Sequence, residues 1–136
     1  MVSGVLDGVS VLIAEDNPPS LQLAMTLVRL AGGAPTGVVN GKDAVDAVAS
    51  EQYGVVLMDV QMPLMDGLDA TRSIRERECE TGDRLFIIGV TAHAMTEHVN
   101  RCHEAGMDAV ITKPIDPGSF ATAIRAFLDE GRSQPE

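Results

Sequence analysis

Five short apolar runs, rich in β-branched residues, recur along the chain at 9–14, 36–39, 55–58, 85–90 and 109–112. They are continuous rather than alternating apolar and polar, the pattern of strands buried on both faces of a parallel sheet. Between them the apolar residues fall at helical spacing, which predicts helices at 18–31, 41–50, 66–78, 95–105 and 117–129. Pro18 and Pro19 suit a first helical turn, where a missing N–H costs nothing, and Gly106 suits the left-handed position just past a helix end. Residues 1–7 and 130–136 read as terminal tails around a domain at 8–129.

Five βα units with no internal repeat and no linker predict an α/β fold: one doubly wound domain on a parallel five-stranded sheet. The expected strand order is 2-1-3-4-5, the flavodoxin-like arrangement. At 136 residues the chain is long enough for one domain with a real core. Its charge narrows the partners. Twenty acidic against ten basic residues give a net charge of −10, which argues against nucleic acid, because phosphate backbones are held by clustered Lys and Arg. Three Phe, one Tyr and no Trp leave little for a base-stacking platform. No apolar run approaches the roughly 20 residues that span a bilayer, and the first ten residues lack a basic, then apolar, leader pattern. Cys79 and Cys102 sit apart with no CxxC spacing, as expected in a reducing compartment. These features predict a cytoplasmic domain without membrane contact.

In open α/β sheets the functional crevice lies outside the carboxyl ends of the strands. The first predicted strand is followed by Glu15 and Asp16, the third by Asp59, the fourth by Thr91 and the fifth by Lys113-Pro114. If the first and third strands are neighbours, three carboxylates converge. Each pair of charges about 4 Å apart repels by ~4 kcal/mol at an effective dielectric of 20. Lys113 offsets one of the three, leaving the charge that one divalent cation would balance. The all-oxygen set favours Mg²⁺, with Mn²⁺ as the other candidate, since Zn²⁺ would recruit His or Cys.

Four segments carry a specific resemblance: VLIAEDN at 11–17, VLMDVQMPLMDG at 56–67, VTAHAM at 90–95 and AGMDAVITKPID at 105–116. In order and spacing they resemble the receiver domains of two-component response regulators, most closely those of hybrid histidine kinases. The resemblance implies a phosphoaccepting module, modified on itself rather than turning over a substrate. Asp59 would be the phosphoacceptor. Asp16, Asp59 and Glu15 would serve Mg²⁺, Glu15 largely through water, and Gln61 would offer its backbone carbonyl. Thr91 and Lys113 would hold the phosphoryl oxygens, and the Lys113-Pro114 bond would be cis. A histidine kinase or histidine phosphotransfer protein would be the partner. One position departs: Val110 stands where many receivers carry a rotating Tyr or Phe.

Other acceptors of this chemistry fit less well. A haloacid-dehalogenase-type phosphohydrolase needs a second Asp two residues after the nucleophile, and that position is Gln61. A flavodoxin-like electron carrier needs a Ser/Thr/Gly-rich phosphate loop after its first strand, where Glu15-Asp16-Asn17 would repel an anion. The first helix has an apolar arc of roughly 220°, wider than one core-facing stripe requires, so Leu21 and Met25 are candidates for a partner-docking edge. His98, Cys102 and His103 share one predicted helix but do not face one another as a metal site would. His93, two residues after Thr91, is a candidate neighbour of the phosphorylation site.

Overall fold

The computed structural model describes residues 4–82, 84–92 and 95–133; His93 therefore lies outside the described residues. Five strands alternate with five helices: β1 (Ser10–Ala14), α1 (Pro18–Leu30), β2 (Ala34–Val38), α2 (Gly41–Ser50), β3 (Val55–Asp59), α3 (Gly67–Thr81), β4 (Ile87–Thr91), α4 (Thr96–Ala105), β5 (Ala109–Thr112) and α5 (Phe120–Ser133). All strand pairs are parallel and the order is 2-1-3-4-5.

The continuous apolar runs are explained by two cores, one on each face of the sheet. Val11, Ile13, Val55 and Leu57 pack with Val28 of α1 and Ile124 of α5. Their neighbours in sequence, Leu12, Ala14, Val56 and Met58, pack in a second cluster with Ala44, Ile74 and Cys102 from α2, α3 and α4. Alternate residues of the central strands thus point into different cores, so their polar side chains are confined to the strand ends.

The remaining boundaries differ from the sequence pattern for identifiable reasons. β2 begins at Ala34 and includes Pro35; an edge strand tolerates the missing N–H. β4 begins two residues later than the apolar run suggests, because side-chain carboxylates take the approaching backbone: Leu85 N–H donates to Glu78 Oε2 at 2.6 Å and Ile87 N–H to Asp108 Oδ2 at 2.9 Å. α5 begins at Phe120 because Asp116 holds the preceding turn, accepting from Gly118 N–H and from the Ser119 hydroxyl.

Both expected tails need correction. Leu6 is fully buried in the α1/α5 core and its N–H donates to Ala31 O at 2.8 Å, so residues 4–8 belong to the packed fold. Two apolar residues, Val5 and Leu6, between Gly4 and Gly8 leave too short a pattern to register in sequence. At the other end α5 continues to Ser133 instead of stopping at 129.

Candidate functional site

The register of β1 and β3 builds the site. Ala14 pairs with Met58, so the next residue of each strand, Glu15 and Asp59, emerge side by side at the ends of two central strands. Both are only 5% exposed, while Asp16 stands out in solvent. The three carboxylates offer oxygens that all lie within 4.8 Å of one another. Lys113, delivered from the end of β5, sets its Nζ 2.9 Å from Glu15 Oε1 and 3.1 Å from Asp59 Oδ2. Its backbone N–H donates to Thr91 O at 2.7 Å, tying the lysine to the end of β4, and the Lys113-Pro114 bond is cis.

The free carboxylate oxygens are held by backbone. Asn17 N–H donates to Glu15 Oε2 at 3.1 Å, and Gln61 N–H donates to Asp59 Oδ1 at 3.3 Å. Asn17 also caps α1, accepting from Ser20 N–H at 3.1 Å. Sequence alone does not reveal its N–H contact to Glu15; an Asn before a Pro-Pro helix start is the one signal that points to it. Thr91 is buried at the lip, and Ala92 and Met62 complete an open cleft of about 630 Å³.

One positive charge does not balance this cluster. Burial, reinforced by the carboxyl of Glu15, outweighs Lys113 and pushes Asp59 up to about 6. Burial also acts to raise Glu15, but its hydrogen bonds with Asp59, Lys113 and the Asn17 N–H win and hold it below its ordinary value. Lys113 is lowered by burial and raised more by its two carboxylate partners, so it stays charged. An all-oxygen cluster of three carboxylates offset by a single lysine fits a hard divalent cation.

The structure brings Glu15, Asp16, Asp59, Gln61, Thr91 and Lys113 to one cleft. It does not free Leu21 and Met25. Both are half-buried against β2, where a Cβ at Gly37 would sit 2.9 Å from Met25 Sδ and 3.2 Å from Leu21 Cδ1. The apolar arc of α1 is wide because the helix faces two surfaces, the core through Ala24 and Val28 and the glycine trough of β2 through Leu21 and Met25. Its exposed apolar residues are Leu23, 39% accessible, and Leu30, 63%. Val110 is half-buried among the α2–α4 core. Cys102 is buried, its thiol pushed up by burial, and His103 Nδ1 lies 3.1 Å from Met107 O. Among the described residues the carboxylate trio is the one cluster of three metal-ligating side chains.

The model of the response regulator receiver domain matches residues 11–125, most of the chain and every element that builds the cleft. The chain belongs to that family. Receiver domains within larger kinases are its near relatives. It is 39% identical over 132 residues to hybrid signal transduction histidine kinase I of Dictyostelium discoideum, covering 90% of this chain and 8% of that protein. Across the most similar curated relatives the chain spans 8% to 15% of their length. The receiver domain of sensor histidine kinase PA1611 from Pseudomonas aeruginosa PAO1, with a magnesium ion in its active-site cleft, is 32% identical over 90% of this chain and 98% of its own, with a TM-score of 0.80. The receiver domain of the histidine kinase CKI1 from Arabidopsis thaliana, complexed with Mg²⁺ and BeF₃⁻, is 31% identical over 91% of this chain and 92% of its own, also at a TM-score of 0.80. Among the described residues no helix is long and apolar enough to cross a membrane.

Proposed function

We propose that this receiver domain accepts a phosphoryl group from a phosphohistidine onto Asp59 and holds or relays it in a phosphorelay. The observation that carries the reading is the placement of Asp59, a buried carboxylate with one oxygen held by the Gln61 N–H and the other by Lys113 Nζ. An Asp59 oxygen forms the new P–O bond as the P–N bond to the donor imidazole breaks, and the bonding pair returns to that nitrogen. Lys113 is within reach to follow the charge onto the phosphoryl oxygens. Thr91 sits at the lip to hold another of those oxygens, and the small Ala92 leaves them space. Such a transfer depends mainly on positioning and electrostatics.

Glu15, Asp16, Asp59 and the Gln61 carbonyl are the groups that would hold Mg²⁺, as the oxygen cluster and its unbalanced charge suit; Mn²⁺ satisfies the same ligands. When bound, the ion supplies positive charge to the phosphoryl oxygens. The product is the modified chain itself, so the domain is a phosphoacceptor and not a turnover enzyme. Its donor would be a histidine kinase or a histidine phosphotransfer protein, in the reducing cytoplasm that its free Cys79 and Cys102 suit. Leu23, exposed six residues or ~9 Å along α1 from Asn17, offers that donor an apolar contact on the helix that leads away from the cleft.

Incubation with acetyl phosphate and Mg²⁺, followed by intact-mass measurement, tests the reading. One added phosphoryl group, absent in Asp59→Asn, is expected. A label retained at full yield by Asp59→Asn overturns the assignment.

A further inference from the structure

We infer that Gly41, at the start of α2, is a positioning residue for Asp59, acting through a backbone tether to the loop that holds the nucleophile. The inference rests on the phosphoacceptor reading and deepens it.

The chain from Val60 to Gly67 leaves β3, passes the cleft and returns to start α3. Its base is closed by Gly67 N–H donating to Val60 O at 2.9 Å, and its first residue stays in the sheet through Val60 N–H to Val90 O at 3.0 Å. Gln61, which holds Asp59 Oδ1, is therefore fixed on one side only. The other side depends on the return limb.

That limb is bent tightly. Met65 N–H donates to Pro63 O at 2.7 Å, closing a γ-turn on Leu64, whose φ is 67°. A leucine avoids this left-handed region because its Cβ crowds the backbone. Leu64 is also 84% exposed, so no packing of its own side chain compensates. A strained conformation with no local reward persists only where the surroundings over-determine it.

The surroundings that do so are on α2, which contributes no lining residue to the cleft. Gly41 N–H, one of the first-turn donors that an α-helix leaves unpaired, donates to Met65 O at 2.9 Å. The approach is so close that a Cβ at Gly41 would lie 2.2 Å from Met65 O and 2.9 Å from Met65 C. Both are backbone atoms, which cannot swing aside as a side chain can. Buried Asn40 aims the donor: its Oδ1 accepts from Asp43 N–H at 2.7 Å and its Nδ2 donates to Asp43 Oδ2 at 3.2 Å, fixing the first turn of α2. The tether holds Met65, Met65 holds the turn at Leu64, and the turn holds the limb that returns past Gln61.

The test compares initial rates of labelling by acetyl phosphate with saturating Mg²⁺ for wild type, Gly41→Ala and a control, Gly33→Ala. Gly33 is also crowded, though by a side chain, its Cβ placed 2.7 Å from Val28 Cγ1, and it lies before β2 at the opposite end of the sheet. With each protein assayed well below its own melting temperature, Gly41→Ala should lower the maximal rate about tenfold or more, since displacement on the order of 1 Å is costly in such transfers. The acetyl phosphate concentration at half-maximal rate should change little, and Gly33→Ala should label as wild type does. Equal rates for wild type and Gly41→Ala, or equal loss in both glycine variants, overturn the tether. An unlabelled wild type would instead overturn the phosphoacceptor reading itself. If Gly41→Ala does not fold, Asn40→Ala carries the test, with a several-fold slower rate expected and restored by Asn40→Ser, which keeps a capping acceptor. An Asn40→Ala protein labelling at the wild-type rate overturns the proposal.

Discussion

Lys113 Nζ sits 3.1 Å from Asp59 Oδ2, though the two residues are 54 positions apart and come from strands that do not touch. The contact reaches across the end of β4 and is anchored there by the Lys113 N–H to Thr91 O bond. Lys113 thus favours the ionised, nucleophilic form of Asp59 before any phosphoryl group arrives, while burial and Glu15 oppose it. Lys113→Ala should label with acetyl phosphate about a hundredfold more slowly, the scale of loss when one preorganised donor is removed. Time courses of intact mass check this, and a wild-type rate in the variant would remove Lys113 from the mechanism.

The same cluster makes stability depend on pH. Asp59 binds its proton more tightly in the folded chain, with a pKa of about 6 against an ordinary value of 3.8. Its ionised form therefore costs stability at neutral pH, and the cost is relieved as pH falls through 6 towards 4. In the presence of a chelator, wild type should gain about 2 kcal/mol relative to Asp59→Asn between pH 7.5 and pH 4.5. Asp59→Asn should be the more stable of the two at pH 7.5. Because the chain has no Trp, unfolding is best followed by far-UV circular dichroism. Parallel pH profiles for the two proteins would show that Asp59 is not the source. Mg²⁺ should raise the melting temperature of wild type at pH 7.5 and do little for Asp59→Asn.

Burial on both faces makes the central strands legible, since β1, β3 and β4 read as unbroken apolar runs, and the polar residues at their carboxyl ends form the site. The edge strand is harder to see because Ala34–Val38 contains a glycine and a proline, and the proline is tolerated at an edge position. For Leu21 and Met25 the sequence identifies the helix but not what covers it: an amphipathic arc reports how much of a helix is covered, not whether the cover is the same chain. The contact between Gly41 and Met65 cannot be read at all. It is backbone against backbone, and its trace in sequence is one glycine among thirteen.

A second ion network lies at the opposite end of the sheet. Arg75 on α3 donates to Gly106 O, Leu85 O, Glu78 and Asp108, and Asp108 also pairs with Arg84 and accepts from Ile87 N–H. The side chains of Arg75, Glu78 and Asp108 are largely buried, so removing the arginine takes the buried cation from two carboxylates and leaves Glu78 with the Leu85 N–H alone. Arg75→Met should cost about 3 kcal/mol, or roughly 10 °C in melting temperature. Arg84→Met, at an exposed position, should cost less than about 1 kcal/mol. Equal effects from the two would mean that the network is solvent-screened throughout.

Helix α1 separates fold from partner at the level of single residues. Leu21 is half-buried over Gly37 of β2, so Leu21→Glu forces a carboxylate into an apolar trough and should destabilise the domain by about 1–3 kcal/mol. Leu23, further round the helix, is 39% exposed, and Leu23→Glu should leave stability within about 0.5 kcal/mol of wild type. Labelling by acetyl phosphate should also be unchanged in Leu23→Glu, because so small a donor does not touch the helix. Transfer from a phosphorylated histidine phosphotransfer protein should slow, since an unpaired charge then enters the apolar contact on α1. The comparison needs both donors in parallel. Loss with acetyl phosphate as well would mean that Leu23 supports the site through the fold, and no loss with either donor would mean that the partner approaches the cleft without using α1.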